Sequence, residues 1–164
     1  MKSARSDWRS CGMTTNKMVS IGCIIDTDIV IDYLRNEEYA PGMLRQWWLR
    51  GYIGISTLTY FEVYSGMRQT DQEFTNAFLD SLEAIVADAK ICQKAGVITQ
   101  QLRSKGITIG VADLIIAATA LELGVPLITN NIKHFSVPGL TIVHGKKGDF
   151  YIKERRHRYS ARKS

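Results

Sequence analysis

"VSIGCIIDTDIVIDYLRN", residues 19–36, decides how this chain folds. The run as far as Asp26 is short, β-branched and unbroken in its apolarity. A strand with one wet face alternates apolar and polar residues, whereas an unbroken run suits a strand covered on both faces of a parallel sheet. From Thr27 onward the apolar residues recur at helical spacing. Strand followed by helix opens a βαβ unit, and the rest of the chain continues the alternation.

Working outward, "APGMLRQWWLRG" (40–51) predicts a helix with Pro41 near its start and Gly51 at its end. Strands are expected at 52–56, 84–86, 125–130 and 140–144, and helices at 57–67, 71–84, 88–106 and 109–124. The result is an α/β fold with a central parallel β-sheet flanked by helices on both faces. Ligands of such sheets bind beyond the carboxyl ends of the strands, so the polar residues there carry the functional question.

Length and composition fit one compact domain: 164 residues, 45% of them hydrophobic. No apolar run reaches the ~20 residues that span a bilayer, and the first residues lack the apolar core of a secretory signal. Cys11, Cys23 and Cys92 are odd in number and form no CxxC, which points to a reducing cytoplasm and no structural zinc. Cys23, in the first strand, reads as a small buried hydrophobe. The net charge of +5 is uneven: residues 1–17 carry +3, residues 18–152 carry −3 and residues 153–164 carry +5. Three segments are therefore expected: a disordered basic extension (1–17), the folded domain (18–152) and a basic tail (153–164). In the tail, Lys153, Arg155, Arg156 and Arg158 are candidates for gripping nucleic acid phosphates.

Four acidic or amide positions fall on strand ends or the adjoining helical turns. Asp26 closes the first strand, Glu62 lies in the helix after the second, Asp113 opens the helix before the fourth, and "TNN" (129–131) closes the fourth. Asp113 alone reads equally as a first-turn acid favoured by the helix dipole, and the two roles are compatible. Several carboxylates within ~4–6 Å raise one another's pKa, and a hard divalent cation such as Mg²⁺ or Mn²⁺ removes the conflict. Asp28 is expected near this site as a secondary group and Asp32, one turn on, in solvent. Of Trp47 and Trp48, one is expected in the core and the other at a contact. Tyr60, Phe61 and Tyr64 stand at helical spacing and are expected to pack. His134 is expected on the surface or at the rim.

Taken together, "CIIDTDIVIDYL", "ISTLTYFEVYSGM", "GITIGVADLIIAATALELGVPLITNNIKHF" and "PGLTIV" resemble a PIN domain, specifically a VapC-type toxin ribonuclease, over about residues 20–144. The resemblance implies that Asp26, Glu62 and Asp113 bind the metal, Mg²⁺ with Mn²⁺ able to substitute. A further family position, often Asp, falls on Asn131, where an amide implies binding through water. Thr27 and Thr129 match small hydroxyl positions that steady the acids, with Asp28 and Asn130 beside them. The implied function is a metal-dependent endoribonuclease of a type II toxin–antitoxin pair. Its implied partners are RNA, a cognate antitoxin and a second copy of itself, in the cytoplasm and away from membranes. Two alternatives stand beside it. One is a non-catalytic PIN module that binds RNA or a protein. The other is a haloacid dehalogenase-type phosphatase, suggested by the hydrophobic-DxD of "IIDTD" but leaving Glu62 unexplained.

Overall fold

The computed structural model describes residues 20–148 and 150–152. The basic extension, Cys11 and the tail residues Lys153, Arg155, Arg156 and Arg158 lie outside the described residues. In chain order the elements are β1 (Ile21–Ile25), α1 (Thr27–Leu34), α2 (Tyr39–Trp48), β2 (Tyr52–Ser56), α3 (Thr57–Gly66), α4 (Gln72–Leu79) and β3 (Glu83–Ile85). Then follow α5 (Ala89–Arg103), α6 (Val111–Leu123), β4 (Leu127–Thr129), β5 (Thr141–His144) and β6 (Phe150–Ile152). The sheet order is β3-β2-β1-β4-β5-β6. Strands β1 to β5 pair in parallel.

The expected strands are all present. Two details differ from the sequence reading. The helix expected over 71–84 stops at Leu79 and is preceded by a 3₁₀ turn, Gln69–Asp71. Asp71 makes no capping bond, so it does not open α4 as a side-chain cap. The sheet also gains β6, antiparallel to β5, from a segment with no strand signal in the sequence.

β1 shows why its sequence is apolar throughout. Ile24 packs with α5 and α6 residues such as Ile98, Leu102 and Ile116. Its neighbours Cys23 and Ile25 pack on the other face, with Ile29, Leu44, Val63 and Phe78 from α1 to α4. Successive side chains point to opposite faces and both faces are covered by helices. β4 and β5 repeat this: Leu127 and Ile142 join the first layer, Ile128 and Val143 the second. Burying one such side chain contributes about 1.5–3 kcal/mol, so these paired layers dominate the stability. Cys23 is buried as expected, and burial pushes its thiol pKa well up. Trp47 enters the core, with the Arg50 guanidinium 4.7 Å from its ring centroid, while Trp48 stays half-buried at the edge. α6 ends on Gly124 at φ +66°, a left-handed cap that suits glycine. Among the described residues, no helix is long and apolar enough to cross a membrane.

The strand order reverses beside β1: the chain runs from β1 outward to β2 and β3, then returns to place β4 on β1's other side. The carboxyl ends of β1 and β4 therefore flank the crevice in which α/β sheets bind ligands.

Candidate active site

Asp26 follows β1 and is the N-cap of α1. Its Oδ1 accepts the Thr27 backbone N–H at 2.8 Å, and its Oδ2 accepts the Thr129 hydroxyl at 2.8 Å. With both oxygens engaged, the carboxylate is fixed in direction and only 6% exposed. Burial, reinforced by the charge of Asp28, raises its pKa to about 7 against the hydrogen bonds from Thr129 and Thr27, and Asp113 adds a smaller push upward.

Glu62 reaches the same place from α3. Its Oε2 accepts the Thr27 hydroxyl at 2.5 Å, and that hydroxyl also lies 3.4 Å from the Thr59 hydroxyl. Asp113 stands in the first turn of α6, whose N-cap is Gly110. Asp113 is thus the first-turn acid expected from the sequence, meeting the helix dipole while Gly110 holds the cap position. Burial raises its pKa, the nearby His134 opposes this, and the charge of Glu62 adds to it. Asp26, Glu62 and Asp113, from three separate elements, therefore sense one another across the rim.

Asp28 lies one residue into α1. Its Oδ2 accepts the Asn130 backbone N–H at 2.9 Å and lies 3.3 Å from the Thr129 hydroxyl. Burial raises its pKa, those bonds pull it back, and Asp32 adds repulsion. Its Oδ1 is buried with no hydrogen-bond partner. An orphaned carboxylate oxygen of this kind is costly unless a donor or cation meets it.

Asn131 is exposed at the start of a 3₁₀ turn, Ile132–His134. Its backbone N–H donates to the Thr129 hydroxyl at 2.9 Å, and its Nδ2 lies 2.8 Å from His134 Nδ1. The same His134 nitrogen is 3.5 Å from Asp113 Oδ2, which makes His134 a neighbour of the acids. The spacing of His134 three residues after Asn131, within one short turn, is the signal that points to it.

Two expectations need correcting. Asp32 is not simply exposed: it accepts hydrogen bonds from Tyr39 at 2.6 Å and Asn130 Nδ2 at 3.1 Å. A neighbour one turn along a helix shares its face, so Asp32 lies beside Asp28 and both carboxylates accept from Asn130. Tyr60 packs and donates to the Leu79 carbonyl, but Phe61 is 69% exposed and Tyr64 43%. Adjacent helical residues point different ways: Phe61 lies on the open side of α3, while Tyr64 stacks on Tyr60 with ring centroids 6.5 Å apart and donates to Asn76 of α4.

Among the described residues, no three His, Cys, Asp or Glu side chains converge closely enough to form a ready-made metal site. Glu62 is held by the Thr27 hydroxyl instead. The donor set still fits a hard cation. It offers carboxylate oxygens, Asp26 and Asp113 are held above the usual carboxylate pKa range, and one buried oxygen of Asp28 has no partner. The site is an open rim, and the cavity of about 240 Å³ between α5 and α6 includes none of these acids in its lining.

The PIN domain family model matches residues 23–140. The chain is 32% identical to Ribonuclease VapC19 of Mycobacterium tuberculosis over 113 residues, covering 68% of this chain and 90% of that one. It is 34% identical to Ribonuclease VapC1 of Methanocaldococcus jannaschii over 113 residues, covering 68% of this chain and 77% of that one. Its fold superposes with a TM-score of 0.69 on a chain of VapBC2 from Rickettsia felis, solved bound to a promoter DNA fragment, at 27% identity over 74% of this chain and 97% of that one. The phosphatase alternative explains neither this match nor Glu62. With the acids at the ends of β1 and in α3 and α6 inside the matched span, the chain belongs to the PIN-domain family, in its VapC group.

Proposed function

We propose that this protein is a metal-dependent endoribonuclease, the toxin of a type II toxin–antitoxin pair. The observation that carries the reading is that Asp26, Glu62 and Asp113, from three separate elements, lie near enough for the charge of Asp113 to act on Asp26 and that of Glu62 on Asp113. Its relatives of known name are ribonucleases, which supports the same activity here.

Asp26, Glu62 and Asp113 would hold Mg²⁺, with Mn²⁺ able to substitute, and Asn131 would contribute through a water. When bound, such an ion lowers the pKa of a coordinated water and offsets charge on the phosphoryl oxygens. The chain's own residues orient the ligands. Thr129 and the Thr27 N–H aim the two oxygens of Asp26, and the Thr27 hydroxyl aims Glu62. The reaction is in-line hydrolysis: water adds to phosphorus, the bond to the 3′-oxygen breaks, and that oxygen takes up a proton. The products are a 5′-phosphate and a 3′-hydroxyl, with no protein nucleophile required.

The neighbouring structure is a VapBC assembly. That supports a cognate antitoxin as a partner of this chain, and a homodimer and a cytoplasmic setting complete the reading. The test is cleavage of cellular RNA by the full chain with Mg²⁺ and with EDTA, alongside Asp113→Asn and with p-nitrophenyl phosphate as a control substrate. Metal-dependent RNA cleavage lost in the variant, with the control untouched, supports the proposal. Cleavage by Asp113→Asn at the parental rate overturns the assignment of the site.

A further inference from the structure

Asn130 joins four hydrogen bonds beside the acids. Its backbone N–H leaves the strand pattern to reach Asp28 Oδ2 at 2.9 Å. Its Oδ1 accepts the Lys146 backbone N–H at 3.0 Å. A backbone N–H only donates, so the amide orientation is fixed and Nδ2 faces the other way. There one Nδ2 hydrogen goes to Asp32 Oδ2 at 3.1 Å and the other to Tyr39 Oη at 2.6 Å. The Tyr39 proton closes the ring by donating to Asp32 Oδ2 at 2.6 Å. Both Nδ2 hydrogens and the Tyr39 proton are used within this triangle.

The triangle ties four parts of the fold together: α1 through Asp32, the first residue of α2 through Tyr39, the end of β4 through Asn130 and the turn after β5 through Lys146. Lys146 Nζ stands 3.8 Å from Asp32 and 3.9 Å from Glu37, and 5.3 Å from the Tyr39 ring centroid. A cation there offsets the charge of Asp32. The turn presses directly on the hub: a Cβ at Gly145 would stand 2.5 Å from Ile29 Cδ1 and 3.0 Å from Asn130 Oδ1. β4 itself is only Leu127–Thr129, so sheet pairing stops just before Asn130. What aims the Asn130 N–H at Asp28, and the adjoining Thr129 hydroxyl at Asp26, is this side-chain bracket.

We propose that Tyr39 is a positioning residue for the acidic site, acting through Asn130 to fix the end of β4 that orients Asp28 and Asp26. The proposal rests on the metal-dependent reading above. Tyr39 touches none of Asp26, Glu62 or Asp113 in the hydrogen-bond network, so its hydroxyl affects the metal only through Asn130 and Asp32. Removing that hydroxyl strands one Nδ2 hydrogen and removes a donor from Asp32, so the amide is left held by Lys146 and Asp32 alone and its grip on the end of β4 loosens. Partners one step behind metal ligands commonly affect affinity by about 10-fold or more.

The test is calorimetric titration of the full-length chain with Mn²⁺ alone, no RNA present, on the parent, Tyr39→Phe, Asn130→Ala and the double variant. Tyr39→Phe keeps the ring and its packing. It is expected to bind Mn²⁺ about 10-fold more weakly while KM for RNA at saturating metal stays at the parental value. Because Tyr39 acts through Asn130, adding Tyr39→Phe to Asn130→Ala is expected to cost nothing further, whereas independent effects would add. Gly145→Ala disturbs the hub from the turn, leaves Tyr39 in place, and is expected to weaken Mn²⁺ binding in the same direction. Parental Mn²⁺ affinity in Tyr39→Phe, or additive losses in the double variant, overturns the positioning role while leaving the function intact. A parent that neither binds Mn²⁺ nor cleaves RNA overturns the functional reading and this role with it.

Discussion

Asp26→Asn, studied in the metal-free protein, tests the electrostatics of the site most directly. In the folded chain the Asp26 carboxyl has its pKa raised from 3.8 to about 7, with burial the leading cause. A raised acid binds its proton more tightly folded than unfolded. Between about pH 4 and about pH 7 the folded state therefore holds more protons, and stability falls as pH rises through that window. A shift of about three units at about 1.36 kcal/mol each makes the ionised group unfavourable by on the order of 4 kcal/mol at about pH 8. Asparagine removes this penalty. It keeps an oxygen for the Thr27 N–H but must rearrange its bond with Thr129, at a cost of about 1 kcal/mol. The net gain expected at about pH 8 is about 2–3 kcal/mol, or roughly 5–10 °C in Tm for a chain of this size. At about pH 4.5 the parent carries a neutral Asp26 and the difference should nearly vanish. Calorimetric melts of parent and variant across this pH range, in EDTA and then in Mg²⁺, measure it. Mg²⁺ is expected to raise the parent's Tm and to reverse the order of the two proteins. A variant less stable than the parent at about pH 8 in EDTA, or a difference that does not change with pH, would refute the reasoning.

Two further outcomes are expected. Asn131→Asp retains cleavage and tightens the apparent metal affinity, because it adds a carboxylate beside Asp113 and His134. A weaker apparent affinity in a metal titration of activity would place residue 131 outside the coordination sphere. Deleting residues 153–164, which carry +5, weakens RNA binding and flattens the salt dependence of log affinity by about two to four units if three to six contacts are lost. Labelled-RNA binding to Asp113→Asn chains with and without the tail across a salt series measures this, and equal slopes would free the tail from any role in gripping RNA.

The fold was legible in "VSIGCIID" and its successors because apolarity on both faces is a one-dimensional signal. Each strand reports locally that helices cover it twice, and alternation with helical periods then dictates a parallel sheet. The short β6 was not legible, since its pairing with β5 is a long-range choice and three residues carry too little pattern. Asp26, Glu62 and Asp113 stood out for a related reason: acids at the ends of apolar runs conflict with their surroundings, and the conflict is visible in sequence. Thr27, Thr129 and Asn130 came into view beside them through the family resemblance, and the way further partners reach the site was hidden. Asp32 reads as a solvent-facing acid until Tyr39 and Asn130 are brought to it, and His134 as a loop residue until the 3₁₀ turn swings it to 3.5 Å from Asp113. Sequence by itself thus determined the sheet, its layers and the charged groups that need an ion, because burial and charge are properties of single residues. Tertiary structure alone decided which hydroxyls, amides and cations surround those groups, because a hydrogen bond depends on distances between atoms that the chain brings together from up to about 100 positions apart.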